Sequence, residues 1–138
     1  MQKLILDTNV LVSALIQNNF PFKIVNELFI EDKVKLCVSE KLMVEYYEVL
    51  RRPKFTIYPD FVARAEALLV DIEAKSIIYS PRIVVDLLSD KDDNMILELA
   101  DTCLADYIIT GNVNDFTIPT YKNTLIVNPR EYWLTYQP

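Results

Sequence analysis

Short apolar runs that alternate with segments of helical periodicity constrain the fold of this chain more than any other feature. The runs are KLIL at 3–6, KLCV at 35–38, SIIY at 76–79, YIIT at 107–110 and TLIV at 124–127. Each has the length and composition of a strand buried on both faces of a sheet. Because the intervening segments predict helices, the pattern indicates a three-layer α/β/α fold with a central, mostly parallel five-stranded sheet.

The length and cysteine content bound the organisation of the chain. Its 138 residues show no linker or repeat, so we expect a single domain spanning 1–138. Cys37 and Cys103 lie in apolar surroundings without the spacing of a zinc site, and we expect them to be reduced core residues. The sequence shows neither a signal-peptide pattern nor an apolar run of about 20 residues, which favours a cytoplasmic location and no membrane contact.

The residues that are missing narrow the possible chemistry. With no histidine, the chain cannot form a Ser-His-Asp triad, an imidazole base or a histidine-ligated zinc site. The single glycine, Gly111, excludes glycine-rich phosphate loops. Carboxylates are abundant, and the net charge of −6 repels a phosphate backbone, so nucleic-acid binding would need a local patch and a metal ion.

Two acids follow predicted strands. Asp7 comes directly after the first strand, and Asp115 lies on the loop after the fourth. In parallel sheets, ligands bind beyond the carboxyl ends of the strands, so both acids are candidates for one site. The alternatives are that Asp7 is only the N-cap of the next helix and that Asp115 is a turn or helix-start residue.

Helical geometry selects one glutamate from the segment after Ser39. Glu45 lies at the border of the apolar face, about 80° from its centre, whereas Glu40 and Glu48 point well away from it. The alternative for Glu45 is a solvated or salt-bridged residue. The predicted apolar face consists of Leu42, Tyr46, Val49 and Leu50.

The segment SDKDDN crowds three acids before another predicted helix. One aspartate suffices to cap a helix, so Asp90 or Asp92 can take that role while Asp93 is free to point towards the sheet. The alternative is a polar loop with one N-cap. The same periodicity predicts that Glu98 and Asp101 face solvent, opposite an apolar stripe formed by Met95, Ile96, Leu99 and Cys103.

Acids converging from four segments would repel each other unless a cation lay between them. Carboxylate, amide and water oxygens are the available ligands, so we expect Mg²⁺ or Mn²⁺. Such sites hydrolyse phosphate esters by activating water and neutralising developing charge. The sequence therefore predicts metal-dependent phosphodiester hydrolysis.

Three stretches carry a resemblance to a known family. LILDTNVLVSAL, SEKLMVEYYEVLRRPKF and DKDDNMILELADTCLADYIITGNVNDF resemble the acidic segments of PIN-domain ribonucleases, in the toxin-like branch related to VapC toxins. The resemblance implies that Asp7, Glu45 and Asp93 are the core catalytic and metal-binding acids, with Asp115 as a more variable fourth. It also implies supporting roles for further polar side chains, namely Asn9, Thr110 and Asn112.

The same resemblance implies an activity and partners. The activity is that of a Mg²⁺- or Mn²⁺-dependent endoribonuclease that leaves a 5′-phosphate and a 3′-hydroxyl. The partners are an RNA substrate, a cognate antitoxin protein and a second copy of the chain in a homodimer. The sequence departs from the family in two places: it reads DKDD where relatives often have proline at the second position, and Asn112 stands where many carry aspartate. The second departure removes a charge and makes Asp115 more important.

Several basic residues could contact the substrate. Arg51, Arg52 and Lys54, together with Lys91, are candidates for steering RNA; the alternative is solvated charge at a helix end. Nearby aromatic residues could stack bases or belong to the core.

Two rival functions are a catalytically silent PIN domain that binds RNA or protein, and a receiver-type phosphoacceptor domain. The late strands offer no lysine at their ends for the latter.

Overall fold

The computed structural model describes residues 1–138 and contains one six-stranded sheet. The strands are β1 (Lys3–Leu6), β2 (Lys35–Ser39), β3 (Ile77–Tyr79), β4 (Tyr107–Ile109), β5 (Thr120–Tyr121) and β6 (Thr124–Val127). They lie in the order β3-β2-β1-β4-β6-β5, and every neighbouring pair is parallel except β5 and β6. The predicted three-layer, mostly parallel fold is confirmed.

The sheet has six strands, not the five predicted. The additional strand, β5, pairs antiparallel with β6 through a two-residue hairpin in which Lys122 adopts a left-handed conformation. A strand of two residues is too short to show an alternating pattern, and its loop carries none of the usual Asn-Gly or Asp-Gly signals. The sequence pattern therefore predicts irregular chain at this segment.

Helices cover both faces of the sheet. The helices are α1 (Thr8–Ile16), α2 (Phe20–Lys23, continued by a π turn at Ile24–Phe29), α3 (Glu40–Leu50), α4 (Phe61–Lys75), α5 (Lys91–Cys103), α6 (Val113–Phe116) and α7 (Pro129–Glu131, continued by a π turn at Tyr132–Tyr136). Helix α1, which precedes β2, contacts α3 and α4, which follow it, and α5 packs on β1, β2 and β3. Right-handed crossovers that leave the central strand in opposite directions place helices on opposite faces of the sheet in this way. After α3, Pro53 starts a 3₁₀ turn, Pro53–Ile57.

One hydrophobic core holds the layers together. Leu4, Ile5 and Leu6 of β1 are at most 1% exposed, which places this strand at the centre of the core. Cys37 and Cys103 are both buried, as predicted. None of the helices combines the length and the hydrophobicity that a membrane span requires.

The sheet topology brings distant segments to one edge. The N–H of Asp7, directly after β1, donates to the carbonyl of Ile109 at 2.9 Å, and the N–H of Thr110, directly after β4, donates to the carbonyl of Val127 at 3.0 Å. At the end of β2, the Ser39 hydroxyl accepts the Leu42 N–H at 3.1 Å and caps α3. The carboxyl ends of β1, β4 and β6 therefore lie together, and that of β2 lies beside β1, with which it pairs in parallel.

Candidate active site

Asp7 combines a capping role with a position in the candidate site. Its Oδ1 accepts the N–H of Thr8 at 2.8 Å, so it is the N-cap of α1. Its Oδ2 accepts the Thr110 hydroxyl at 2.8 Å and the Asn9 amide at 3.2 Å. Burial raises the pKa of the Asp7 carboxyl, these hydrogen bonds oppose the shift, and the charge of Asp115 adds to it. The capping alternative thus holds for one oxygen and leaves the other turned towards β4.

A small polar network holds the loop after β4 against Asp7. The fully buried Thr110 hydroxyl also accepts the Asn112 N–H at 3.0 Å, and the Asn9 Oδ1 accepts the Gly111 N–H at 2.8 Å. A Cβ at Gly111 would lie only 3.0 Å from that Asn9 oxygen, so a side chain at this position would press on the hydrogen bond that holds the loop. Of the predicted supporting residues, Asn9 and Thr110 contact Asp7 by their side chains, whereas Asn112 contributes its backbone.

Glu45 on α3 reaches the same edge through a threonine. The side chain is half-buried, and the hydroxyl of the buried Thr8 donates to its Oε2. Burial raises the pKa of Glu45, the Thr8 hydrogen bond opposes this, and the charges of Asp7 and Asp92 raise it further. Glu40 and Glu48 are exposed, so the helical geometry selected the correct glutamate for burial.

The acidic cluster at the start of α5 divides into a cap and a half-buried acid. Asp90 is the N-cap, and its Oδ1 accepts the N–H of Asp92 at 2.8 Å. Asp93 is half-buried on the first turn, and its pKa is raised to about 6 by burial first and then by the charges of Asp90, Asp7 and Asp115. Asp93 is therefore affected by the charge of a neighbour in its own segment, Asp90, and by acids from two other segments, Asp7 and Asp115.

Asp115 occupies the exposed side of the site. It lies on α6, its N–H donates to the Asn112 carbonyl at 3.0 Å, and its side chain is exposed. Its charge raises the pKa of both Asp7 and Asp93. The helix-start alternative therefore accounts for the backbone of Asp115.

None of the four acids forms an ion pair. None of the four ion pairs of the protein includes Asp7, Glu45, Asp93 or Asp115. As placed, no three of these acids form a group that could hold one ion. The donors are oxygens only, partly buried and mutually repulsive, which fits Mg²⁺ or Mn²⁺.

The basic residues selected from the sequence lie in different places. Arg51 donates to both oxygens of Glu66 on α4, at 2.7 and 2.9 Å. Arg52 reaches Glu48 at 3.7 Å and lines a depression of about 610 Å³ that Glu45 also lines. Lys54 lies over the ring of Phe55, 5.2 Å from its centre. Arg52 is therefore the one of these three that borders the candidate site.

A sequence model of the PIN domain matches residues 3–114, which is most of the chain. The chain belongs to the PIN domain family. The matched span contains Asp7, Glu45 and Asp93 and ends one residue before Asp115. The family resemblance drawn from the sequence is confirmed.

Two other proteins are similar to this PIN domain, one in sequence and one in fold. The uncharacterized protein MJ1680 of Methanocaldococcus jannaschii is 30% identical over 127 residues, which are 91% of this chain and 81% of that protein. Among solved structures, the chain is similar to one in the crystal structure of VapBC2 from Rickettsia felis bound to a DNA fragment from their promoter. That match has a TM-score of 0.58 and 16% identity over 92% of this chain and 98% of the other, and it shows the fold.

Sequence reasoning missed three residues that support the site of this PIN domain. Thr8 donates a hydrogen bond to Glu45. Asn94 is 5% exposed and anchors the loop before α5. Tyr46 is fully buried, and its hydroxyl donates to the Leu6 carbonyl under Asp7. Only Tyr46 left a signal, because a tyrosine on the apolar face of a helix needs a partner for its hydroxyl. Its burial assigns it to the core and excludes base stacking.

The solvent-facing prediction for α5 was wrong for Glu98. This glutamate is half-buried, and its carboxylate accepts the N–H of Val85 at 2.9 Å. Asp101 is also partly buried, because Lys122 of the β5–β6 hairpin pairs with it. In both cases an irregular segment covers the face of α5 that periodicity assigned to water.

Proposed function

We propose that this PIN domain is a cytoplasmic, divalent-metal-dependent endoribonuclease that hydrolyses phosphodiester bonds in single-stranded or structured RNA. The observation that supports the proposal most strongly is that Asp7 exchanges charge effects with Glu45, Asp93 and Asp115, which come from three other segments, while none of the four forms an ion pair. Such a group of acids costs stability in a metal-free fold, and its use is to hold a cation. The cofactor proposed is Mg²⁺ or Mn²⁺.

Some side chains of the site would bind the cation, and others orient those ligands. Asp7 and Asp93 are the central ligands, and Glu45 and Asp115 complete the acidic set. Thr110 and Asn9 fix the orientation of Asp7, and Thr8 fixes Glu45. When bound, the divalent ion would activate water and neutralise the charge that develops on the scissile phosphate.

We further propose that the domain is the toxin of a toxin–antitoxin pair, with a cognate antitoxin and a homodimeric assembly. The support is the VapC-like sequence pattern, together with a fold shared with a chain of the Rickettsia felis VapBC2 structure. Co-expression with a small protein encoded beside it, followed by purification, tests the antitoxin; light scattering of the purified domain tests the dimer.

A silent PIN domain is the second candidate. It would retain the fold and lose metal-dependent cleavage, and the four retained acids argue against it. A receiver-type domain would accept a phosphoryl group on Asp7 or a neighbouring acid. Incubation with acetyl phosphate and mass measurement distinguishes that reaction from RNA cleavage.

Metal binding predicts a change in thermal stability. Saturating Mn²⁺ is expected to stabilise the wild type by about 2.7 kcal/mol at a hundred-fold excess over Kd, which corresponds to roughly 10 °C in Tm. Asp93→Asn is expected to lose most of this shift, because the variant lacks a central ligand. Without metal it should melt no lower than the wild type, because the neutral amide relieves the repulsion from Asp90 and Asp7.

The matched control is Asp71→Asn on α4, which makes the same exchange at a half-buried carboxylate with no ion pair. It should keep the wild-type response to Mn²⁺. Differential scanning fluorimetry with EDTA, Mg²⁺ and Mn²⁺ measures all three proteins. Equal Mn²⁺ shifts in Asp93→Asn and Asp71→Asn would remove Asp93 from the metal site.

A further inference from the structure

Three adjoining depressions form one groove that runs from Glu45 between α3 and α5 to the segment after β3. The first, of about 610 Å³, is lined by Glu45 and Asp92. The second, of about 390 Å³, is lined by residues 79–84, and the third, of about 500 Å³, by residues 84–86 and the start of α5. Lys41 and Met95 line all three, so the depressions share a wall. We call them together the α3–α5 groove.

Three cationic side chains on the α3–α5 groove have no carboxylate partner. Lys41, Arg82 and Lys91 are exposed and take part in none of the ion pairs of the protein. Lys41 stands one helical turn before Glu45, on the same side of α3, because residues four apart are neighbours on a helix surface. An unpaired positive charge therefore lies next to the catalytic acids, in a protein whose net charge is −6.

The second depression combines this charge with apolar surface. Lys41 and Arg82 line it together with Met95, Ile83 and Val84, and the last two are 41% and 88% exposed. Cations beside apolar side chains suit a nucleotide, whose phosphates take the charges while its base or sugar covers the apolar part. The volume lies in the range of small-ligand sites.

The acids of the same depression do not cancel these charges by pairing. Glu98 already accepts the N–H of Val85 at 2.9 Å, and Glu40 is exposed on the first residue of α3. Neither forms an ion pair with Lys41 or Arg82. Both cations are consequently free to contact an anionic ligand.

We propose that the second depression is a subsite for a nucleotide that flanks the cleaved bond of a single-stranded RNA. Lys41 and Arg82 bind its phosphates there. The proposal rests on the proposed ribonuclease function and adds the path by which substrate reaches it. Phosphate contacts position a strand without reading its sequence, so the subsite contributes affinity for any RNA sequence.

The test measures binding and cleavage separately. Binding uses the Asp93→Asn background, in which a fluorescein-labelled single-stranded RNA stays intact, and fluorescence anisotropy gives Kd at several salt concentrations. Lys41→Gln is expected to raise Kd about 5-fold and to lower the slope of log K against log salt by about 0.7, since one phosphate contact is lost. In otherwise wild-type protein, Lys41→Gln should raise KM and leave kcat within about 2-fold.

The matched control is Lys33→Gln. Lys33 is exposed, has no ion pair and precedes β2, at the edge of the sheet opposite the acids, so this variant changes the net charge equally without touching the groove. It should bind RNA as the parent does. The double variant Lys41→Gln, Arg82→Gln should weaken binding further than either single variant.

The outcomes separate this inference from the ribonuclease proposal. If the wild type cleaves RNA and Lys41→Gln matches Lys33→Gln in Kd, KM and salt slope, the subsite is overturned and the nuclease remains. If the wild type with Mn²⁺ neither binds nor cleaves RNA, both are overturned. Tighter binding of an oligoarginine peptide than of RNA, undiminished by Lys41→Gln, would also overturn the subsite, because the acids of the groove would then be its binding groups.

Discussion

Asp7→Asn and Asp93→Asn are each expected to lower the rate of RNA cleavage by at least about 100-fold, because each removes a charged ligand from a site that depends on opposing charge. The substitutions are isosteric. The Asp7→Asn variant should still cap α1, since asparagine and aspartate are equally good N-caps. For Asp93→Asn the expected loss is therefore chemical. In Asp7→Asn the side-chain nitrogen cannot accept the Asn9 amide hydrogen as Asp7 Oδ2 does, so part of its loss comes from the altered contact.

The measurement is cleavage of an end-labelled single-stranded RNA panel with Mg²⁺, with Mn²⁺ and with EDTA. Asp90→Asn is the matched control, because it removes the same charge three residues from Asp93 and keeps the cap of α5. It should retain activity within a few-fold. Unchanged cleavage by Asp93→Asn would contradict the assignment; a folded, metal-loaded wild type that cuts no RNA would favour the silent domain.

Asn94→Leu is expected to produce the largest loss of stability among single substitutions near the site. The Asn94 Oδ1 accepts the N–H groups of Leu88 and Leu87 at 2.8 and 3.3 Å, and its Nδ2 donates to the Leu88 carbonyl at 2.8 Å. Leucine has a similar volume but leaves these backbone groups without partners. We expect the free energy of unfolding to fall by about 3 kcal/mol and Tm to fall by roughly 10 °C.

Urea denaturation measures the loss, and hydrogen exchange of residues 82–90 locates it. Asn94→Asp keeps the acceptor and loses the donor, so an intermediate effect is expected. Asn18→Leu makes the same exchange at an exposed position with no side-chain hydrogen bond and should change stability little. If Asn94→Leu were as stable as Asn18→Leu, the amide would not be what holds the segment before α5.

Most of the fold was predictable because each layer leaves a local trace. β1, β2, β4 and β6 are short apolar runs between helical segments, and their predicted bounds agree with the structure within one residue. The helical angle of Glu45 was also predictable, because regular geometry relates its position to the buried Leu42 and Tyr46. β5 was not, because two residues carry no period.

The site was predictable only in part. Acid clusters and a family resemblance selected Asp7, Glu45, Asp93 and Asp115, and whether they bind metal stays a prediction. Arg51 was chosen for its charge alone, yet α4 supplies Glu66 opposite it, a residue 15 positions away. A charge in a sequence does not reveal which partner the fold will bring.

Composition and periodicity were enough to predict the alternation of strands and helices, the exclusion of histidine chemistry and the candidate acids, because they can be read from the chain without its partners in space. Three contacts of the folded chain could not be predicted in this way: Thr8 holds Glu45, Asn94 holds the loop before α5, and Lys41 lines the groove without an ion-pair partner. These depend on pairings between residues on different elements, and only the packing of those elements brings the partners within hydrogen-bonding distance or leaves a charge unpaired.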